Sequence, residues 1–421
     1  MKFPAIVKIQ NKRMIAYPRN TEEVSNIVKF SNKNGLNIIP LGGETNRVDG
    51  TKPDQKSKNL FISFSKMNKI IEIDTDNLIL TVESGVTLKK IHQISQSKNL
   101  FFPVNIAPSD KCTIGGNIST NVGGLQTLKF GNIEDHINGL EVVMSDGKVL
   151  NSLSKLKKDN FGPKLWKIFC GSEGIFGIVT KANLNLKPKK NYITTYFLEI
   201  NSLHKAILLF KRLRHQFYDY LTSFEIIFPI PSTILLNKKS NFHLILEMQS
   251  NEKNNFQKPL KNIFQKHQTK IIKLEKNNHN SWIWKKREDL VHIQKDLNFN
   301  HKFDISLPLS QWKVFILKTN KFIKRFPQFS PYFFGHLGDG NLHCNFKVEN
   351  DLSKDVDILS NFIYDLTLSL NGSIAAEHGL GQKKNMLLKK YKSKEYYNFL
   401  KSLKKYLDPN KNLGTNKLFK S

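Results

Sequence analysis

Hydrophobic residues in the first 190 positions recur in short runs, and these runs predict alternating strands and helices. Thr21–Asn34 carries apolar residues at helical spacing, with Thr21 as the predicted N-cap and Gly35 as the stop signal. Residues 86–97 predict a second helix, and residues 139–150 predict a hairpin with an Asp-Gly turn. Shorter apolar runs predict strands at 36–40, 60–64, 70–73 and 78–82.

The second part of the chain shows the pattern of an α+β domain. Apolar runs predict strands at 192–199, 223–228, 242–248 and 270–274. Helical spacing predicts helices at 203–214, 257–267 and 310–326. The run at 285–289 is charged throughout, which is typical of a solvated helix face.

The stretch Cys112–Gly131 combines five glycines with small polar residues. Glycine lets the backbone approach a ligand closely, and amides presented by such turns form a nest for an anion such as pyrophosphate. A second glycine-rich turn, Gly42-Gly43, follows the predicted strand at 36–40. A surface loop between strands is the alternative interpretation. No Gly-x-Gly-x-x-Gly follows a strand and no Gly-x(4)-Gly-Lys-Ser/Thr occurs, which argues against a Rossmann NAD site and against a P-loop.

Charge and cysteine content limit the functional classes and the cellular locations that the sequence allows. The 421 residues carry a formal net charge of +30, but the lysines are spread along the chain without a basic tail. We therefore expect no specific nucleic-acid binding. The three cysteines form no Cys-x-x-Cys, the first residues have no apolar signal-peptide core, and no apolar run approaches the ~18 residues of a membrane span. These features predict a reducing, cytoplasmic location.

Two histidines flank a predicted hairpin turn at Gly338–Asn341. If the hairpin is centred on this turn, His336 and His343 are directly opposed on one face, with Cβ atoms ~5 Å apart. Two imidazoles so placed can hold one metal ion, whereas a polar surface pair is the alternative. Glu377-His378 lies among small residues and would add a carboxylate, giving the ligand set of catalytic zinc or a related divalent ion. His378 would then be available as a base.

These motifs resemble the FAD-linked oxidases of the vanillyl-alcohol-oxidase/PCMH superfamily. Within it, the chain is most similar to the D-2-hydroxyglutarate dehydrogenase branch, beside the D-lactate dehydrogenases and the FAD subunit of glycolate oxidase. The matching motifs follow the family's order along nearly the whole chain: PLGGETN (40–46), CTIGGNISTNVGGLQTLKFG (112–131), GLEVVMSDGKVL (139–150), KDNFG (158–162), GSEGIFGIVT (171–180), KFDISLP (302–308), GHLGDGNLHCN (335–345), AEHGLGQKK (376–384) and LDPN (407–410).

The resemblance implies an α+β fold in three segments: a PCMH-type FAD-binding domain of two α+β subdomains at 1–190, an α+β cap with an antiparallel sheet at 191–370, and a segment at 371–421 that returns to the FAD domain. Neither phosphate loop contains histidine, so we expect FAD to be non-covalent. The residues implied to bind FAD are Pro40, Leu41, Gly42, Gly43, Glu44, Thr45, Asn46, Cys112, Thr113, Gly115, Gly116, Asn117, Ser119, Thr120, Asn121, Gly123, Gly124, Gly174, Ile178 and Val179.

The resemblance also implies the chemistry. A divalent metal, with zinc as the best candidate, would orient a D-2-hydroxy acid while hydride passes to the flavin. Carboxylate ends of the acid would be held by cationic side chains. The implied roles are metal ligand for His336, His343 and Glu377, catalytic base for His378, and substrate binding for Arg287, Lys302 and Asn345.

Several alternatives stay open from the sequence. D-2-hydroxyglutarate is the preferred substrate, but Val291 stands where the hydroxyglutarate enzymes carry a hydroxyl, so D-lactate and glycolate are alternatives. A non-catalytic flavoprotein subunit of an oxidase complex is a further alternative. The resemblance implies an electron acceptor, which is an electron-transfer flavoprotein, a quinone or a partner subunit, and it leaves a homodimer open.

Overall fold

The computed structural model describes residues 5–229, 241–253, 256–277, 281–349 and 353–419. Within these ranges the chain divides into two compact units. Unit 1 contains the residues up to 124, those at 131–189 and those from 377 onward, and unit 2 contains 125–130 and 190–376. The domain boundaries at 190 and 370 stay predictions. None of the described helices is long and apolar enough to cross a membrane.

The first sheet of unit 1 is small and mixed. Its elements are β1 (Ile6–Gln10), β2 (Arg13–Tyr17), α1 (Thr21–Asn34), β3 (Asn37–Leu41) and β4 (Asn59–Ser63). In the described part of unit 1 the sheet has four strands in the order β1-β2-β4-β3, and both β2 and β3 run parallel to β4. Strand β3 leads directly into the glycine-rich turn that begins at Gly42.

Helix α1 covers this sheet because its apolar residues lie on one side. The predicted bounds of the helix are confirmed, but the predicted N-cap is wrong. Asn20 is the cap, since its side chain accepts a hydrogen bond from the amide of Glu23 at 2.9 Å. Thr21 instead donates its hydroxyl to Glu141 of a later strand. The buried apolar residues of the helix are Val24, Ile27 and Val28.

The second sheet of unit 1 is antiparallel. Its segment contains β5 (Ile70–Asp74), β6 (Ile79–Glu83), α2 (Leu88–Gln96), β7 (Leu100–Phe101), α3 (Ile114–Ser119), β8 (Ile137–Val143), β9 (Val149–Asn151), β10 (Ile178–Asn185) and β11 (Lys187–Pro188). The strand order is β5-β6-β10-β8-β9, and β7 pairs separately with β11. The pairing of β8 with β9 confirms the predicted hairpin at 139–150.

Unit 2 is built on one antiparallel sheet. Its elements are α4 (Thr127–Phe130), β12 (Tyr192–Ile200), α5 (Leu203–Phe217), β13 (Leu221–Ile227), β14 (Phe242–Ser250), α6 (Gln257–Lys266), β15 (Lys270–Lys276), α7 (Trp282–Asp296), β16 (His301–Ser306), α8 (Trp312–Arg325), β17 (Phe329–His336), β18 (Asn341–Val348) and α9 (Ser353–Ser369). Among the described residues the sheet has seven strands, in the order β15-β12-β14-β13-β17-β18-β16. The strands and helices predicted for this part of the chain are confirmed to within a few residues.

The end of the chain belongs to unit 1. It forms α10 (Asn385–Tyr391) and α11 (Lys394–Leu407). After α11, Leu413 makes a parallel bridge with Ile38 of β3, and the amide of Ile38 donates to the carbonyl of Asn412 at 2.7 Å. Residues far apart in the sequence therefore complete the edge of the first sheet.

Candidate active site

Unit 1 contains a cavity whose wall is formed by the glycine-rich segments. The loop after β3, the segment that includes α3 and the start of β10 all line it. Asn121 and Gly124 do not line it, and the side-chain oxygen of Asn121 accepts from the amide of Glu134 at 3.2 Å. The residues predicted to bind FAD that do line the cavity are Pro40, Leu41, Gly42, Gly43, Glu44, Thr45, Asn46, Cys112, Thr113, Gly115, Gly116, Asn117, Ser119, Thr120, Gly123, Gly174, Ile178 and Val179.

Each of the two glycine-rich segments approaches neighbouring parts of the chain at positions that tolerate no side chain. A Cβ atom at Gly43 would lie 2.0 Å from the carbonyl oxygen of Lys111. A Cβ atom at Gly115 would lie 2.7 Å from the Cβ of Ser84. Because these neighbours are backbone or rigid atoms, a larger residue would push the segments apart. Glycine here fixes the wall of the cavity through close backbone approach.

The stretch at 112–131 is not the open loop that its glycines predict. Ile114–Ser119 forms a short helix, and two of its first amides are already bonded. The amide of Ile114 donates to the carbonyl of Val86 at 2.9 Å, and that of Gly115 donates to the carbonyl of Ser84 at 2.8 Å. Helix formation and these bonds take up amides that the sequence suggested would face a ligand. The stretch therefore offers fewer open amides than its glycines indicate.

The acidic residue in the first glycine-rich loop is balanced by a neighbour. Glu44 has a φ of 50°, and its carboxylate accepts from Arg13 at 2.8 Å and from the hydroxyl of Thr51 at 3.3 Å. Both side chains of the ion pair are partly exposed, so the pair itself adds little stability. Its effect is to offset a negative charge that would otherwise repel a phosphate.

Glu377 and His378 line the same cavity of unit 1. The backbone after them is held by the half-buried Glu173, whose two oxygens accept from the amides of Leu380 and Gly381, each at 2.8 Å. Burial raises the pKa of Glu173, although these hydrogen bonds act in the opposite direction. The segment that carries the predicted base is therefore anchored by backbone bonds within unit 1.

In unit 2, strands β17 and β18 form the predicted hairpin, but with a different register. His336 is opposite Asn341, and His343 is opposite Phe334, so the prediction that the two histidines are directly opposed is wrong. The turn occupies 337–340, one residue earlier than predicted. The histidines nevertheless share a face as diagonal neighbours, with ring centroids 5.5 Å apart.

A buried carboxylate on the next strand joins two of the predicted site residues. One oxygen of Glu225 in β13 is hydrogen-bonded to Nδ1 of His336, and the other accepts from Nε of Arg287 at 2.8 Å. Burial alone would raise the pKa of Glu225, but its interactions with His336 and Arg287 outweigh burial and hold that pKa at about 2. Arg287 is itself only 7% exposed, so the expectation of a solvated face fails at this position.

The remaining predicted substrate residues lie on the same face of this sheet. Lys302 of β16 pairs with Asn345 of β18, and Asp304 pairs with His343. Asn345 is buried and donates to Gln294 of α7 at 2.7 Å. A carboxylate oxygen of Asp304 lies 3.7 Å from Nδ1 of His343. The side chain of Val291 lies outside the described part of the structure.

The residues present fit the groups that the motifs imply. The cavity of unit 1 is walled by glycines and small polar residues, as a dinucleotide pyrophosphate requires. In unit 2, Nδ1 of His336 is engaged by a carboxylate, so Nε2 is the nitrogen that could bind a metal. The structure thus brings His336, His343, Arg287, Lys302 and Asn345 to one sheet face of unit 2, and Glu377 and His378 to the cavity wall of unit 1.

Family comparisons agree with these features. Residues 13–152 match the family model described as an FAD binding domain, and residues 192–418 match that of the FAD linked oxidases, C-terminal domain. The chain belongs to the FAD-linked oxidases. It is an FAD-dependent oxidoreductase of the vanillyl-alcohol-oxidase/PCMH superfamily, with an α+β fold and a PCMH-type FAD-binding domain, which confirms the family and the fold class predicted from the sequence.

Curated relatives of this FAD-linked oxidase cover most of its length. The mitochondrial D-2-hydroxyglutarate dehydrogenase of Arabidopsis thaliana is 29% identical over 415 residues, which are 95% of this chain and 73% of the relative. The mitochondrial D-2-hydroxyglutarate dehydrogenase of Danio rerio is 30% identical over 408 residues, 93% of this chain and 75% of the relative. A solved structure of alkyldihydroxyacetonephosphate synthase covers 96% of this chain and 77% of its own, with a TM-score of 0.76 at 18% identity, and shows the shared fold.

The expected cytoplasmic location is corrected by these comparisons. Both relatives are named mitochondrial. The expectation relied largely on three free cysteines, which are confirmed as unpaired in the described residues. Unpaired thiols report a reducing environment, and that property does not separate the cytosol from other reducing compartments.

Sequence reasoning missed two carboxylates next to the site, the buried Glu225 and the half-buried Glu173. Glu225 stands alone in the apolar run LTSFEIIF, and Glu173 lies in the quoted motif GSEGIFGIVT without an assigned role. A single carboxylate inside an apolar strand is a signal that could have been used, because a buried charge needs partners. The identity of those partners depends on strand order, which the sequence did not supply.

Proposed function

We propose that this FAD-linked oxidase is a dehydrogenase that oxidises a D-2-hydroxy acid, with D-2-hydroxyglutarate as the best candidate, to the 2-oxo acid. The observation that carries the proposal is the single sheet face of unit 2 that holds two imidazoles, the guanidinium of Arg287 and the ammonium of Lys302. Cationic side chains suit an acid with carboxylates at both ends. The names of the Arabidopsis and Danio relatives support the same substrate.

The proposed metal ligands are His336, His343 and Glu377. The amide of Ala376 donates to the carbonyl of Asp304 at 3.3 Å, and Asp304 pairs with His343. Glu377 is the next residue in the chain. This connectivity supports a site made from two histidines and one carboxylate, which suits zinc or a related divalent ion with positions open to a substrate.

FAD, when bound, would accept the hydride, and a divalent ion, when bound, would act as a Lewis acid toward the 2-hydroxyl group. The chain's own residues do the rest of the proposed chemistry. His378 removes the proton of the 2-hydroxyl group, and Arg287 and Lys302 hold the carboxylates of the acid. Asn345 contacts the substrate from β18. The flavin then passes its electrons to an acceptor, for which an electron-transfer flavoprotein and quinone analogues are the ones to test.

The test is an anaerobic titration of the purified flavoprotein, followed by its visible spectrum. D-2-Hydroxyglutarate, D-lactate and glycolate are added in turn, with and without Zn²⁺ or Mn²⁺, and L-2-hydroxyglutarate serves as the stereochemical control. We expect bleaching of the flavin by D-2-hydroxyglutarate. Bleaching by D-lactate or glycolate alone would identify the short-chain alternative, and a yellow protein that no acid bleaches would favour a non-catalytic subunit.

The role of His378 is tested in the same assay. The variant His378→Ala should keep FAD but reduce it with substrate about 10²–10⁴-fold more slowly, because a positioned base contributes that much. His215→Ala is the matched control, since His215 is exposed on α5. Flavin reduction at the normal rate in His378→Ala would contradict the assignment of the base.

A further inference from the structure

Glu225 occupies a position in the sheet that brings it beside His336. Strand β13 pairs with β17 through Ile226 opposite Gly335 and Ile227 opposite Phe334. Continuing this antiparallel register by one residue sets Glu225 across from His336. Side chains of directly opposed residues lie on the same face, about 5 Å apart at Cβ. The contact between them therefore follows from strand order and register.

The carboxylate of Glu225 divides its two oxygens between two functions. One oxygen is bonded to Nδ1 of His336, the proposed metal ligand, and the other accepts from Nε of Arg287, the proposed carboxylate-binding residue. The carboxylate is only 1% exposed, so it is held almost entirely by these partners. A bond at Nδ1 sets the tautomer of the imidazole and leaves Nε2 as the ligating nitrogen.

Arg287 is held from a second direction. Its guanidinium carbon lies 4.5 Å from the centroid of the Phe334 ring, and Phe334 is the residue directly opposite His343. The bond to Glu225 uses the Nε–H of Arg287, and the terminal amino groups are the donors that suit a planar carboxylate. The orientation of the Arg287 guanidinium is therefore fixed by the bond to Glu225 at its Nε edge and by the Phe334 ring against its face.

We propose that Glu225 is a positioning residue that fixes His336 and Arg287 relative to each other. Its two bonds keep the distance between Nε2 of His336 and the guanidinium group of Arg287 constant. This inference rests on the proposed function. It also makes Glu225 a determinant of which acids fit, because the distance from the 2-hydroxyl group to the bound carboxylate must match that separation. The histidine and arginine act on the substrate, whereas Glu225 acts through them.

The experiment uses the full-length flavoprotein with Glu225→Gln, which keeps the side chain's shape and removes its charge. Glu247→Gln is the matched control: Glu247 is a buried carboxylate of neighbouring β14 that is bonded to Trp284 of α7. Three quantities are measured: the tautomer of His336 by ¹⁵N-histidine NMR with His336→Gln for assignment, the Zn²⁺ Kd by chelator competition, and KM and kcat for each acid.

We expect wild-type His336 to carry its proton on Nδ1, and Glu225→Gln to give a mixture of tautomers. The Zn²⁺ Kd should rise about 10–100-fold, as for other carboxylates that orient a ligating histidine. KM should rise more than kcat falls, whereas Glu247→Gln should leave all three quantities near their wild-type values. A merely structural Glu225 would lower stability without changing the tautomer or Kd.

Two results would overturn the inference. The first is a wild-type His336 with its proton on Nε2, which needs no variant and therefore holds even if Glu225→Gln fails to fold. The second is a folded Glu225→Gln with unchanged tautomer, Kd and KM. Failure of the proposed function is a separate result: no acid would bleach the flavin, while the NMR signal of His336 would still respond to Glu225→Gln.

Discussion

At the scale of single residues, the ammonium group of Lys417 lies in surroundings that disfavour its positive charge. It lines the cavity of unit 1 and is 5% exposed. Burial lowers its pKa from 10.5 to about 8, and the nearby Glu173 only partly offsets this effect. Lys404 is a second cation close by and acts in the same direction as burial. The cavity wall therefore contains a lysine that changes charge near pH 8.

This lysine predicts a pH dependence of stability. Between pH 8 and 10.5 the unfolded state keeps a proton that the folded state has lost, so the free energy of unfolding should rise with pH across that window. The shift corresponds to a contribution of about 3 kcal/mol at most. Lys417→Met should remove this rise in urea unfolding at pH 8, 9 and 10, and the exposed Lys405→Met should retain it. An equal slope in both variants would contradict the low pKa.

Arg287 shows what a local charge pattern can and cannot predict. The run at 285–289 suggested a solvated face, and the resemblance alone singled out Arg287. In α7, however, buried residues recur at helical spacing: Ile283, Arg287, Leu290 and Gln294. Two polar residues within an apolar stripe are a signal of a buried polar site that the sequence contained. The residues that pack against this stripe could not be predicted, because they lie on strands whose order in the sheet the sequence does not show.

At the scale of elements, the β17–β18 hairpin has the predicted sheet face for its two histidines but a different strand register. A turn shifted by one residue changes the strand partners by two positions, and a two-residue change preserves which side chains share a face. The sequence therefore predicted correctly that His336 and His343 share a face, while their direct opposition was wrong. Glycines at 338 and 340 allow more than one turn, so the register depended on packing that the sequence does not show.

The end of α11 supports a testable prediction about the first sheet. Asp408 is fully buried, and its carboxylate is bonded to Lys404 and accepts from the amides of Asn412 and Leu413 at 3.1 and 3.0 Å. These bonds hold the residues that bridge to Ile38 of β3. Asp408→Ala would leave the amides of Asn412 and Leu413 without their acceptor and would remove the carboxylate partner of Lys404, which keeps its bonds to the carbonyls of Ile175 and Leu413.

We expect Asp408→Ala to lower the free energy of unfolding by about 3 kcal/mol, as when one partner of a buried pair is removed. FAD affinity should fall with it, because β3 leads into the cavity loop. Asp76→Ala, in the exposed turn between β5 and β6, should change stability by less than about 0.5 kcal/mol. Denaturant unfolding and flavin titration of the two variants measure both effects, and equal losses would contradict the role of Asp408.

At the scale of the whole molecule, each unit has its own apolar core. Unit 1 contains one core around α1 and β4 and another around β6, β8 and β10, whereas a core of unit 2 lies between α7 and the large sheet. The motifs predicted which segments belong to the family, since they recur in order along the chain. The resemblance implied that the segment at 371–421 returns to the FAD domain, but it could not predict the bridge of Leu413 to Ile38 at the edge of the first sheet, because that contact depends on long-range packing.

The residues that line the cavity of unit 1 all belong to that unit, so the proposal that FAD binds there predicts where FAD stabilises the chain. FAD at 100 times its Kd should stabilise the state that binds it by about 2.7 kcal/mol. In hydrogen-exchange mass spectrometry, the slowest amides of β6 should exchange about 100-fold more slowly with FAD, because they open only when the core of unit 1 opens. The slowest amides of β14 in unit 2 should change less.

The apoprotein is the reference, and riboflavin, which lacks the pyrophosphate, is the control ligand. Equal slowing in β6 and β14 would contradict the prediction and would show that the two units unfold together.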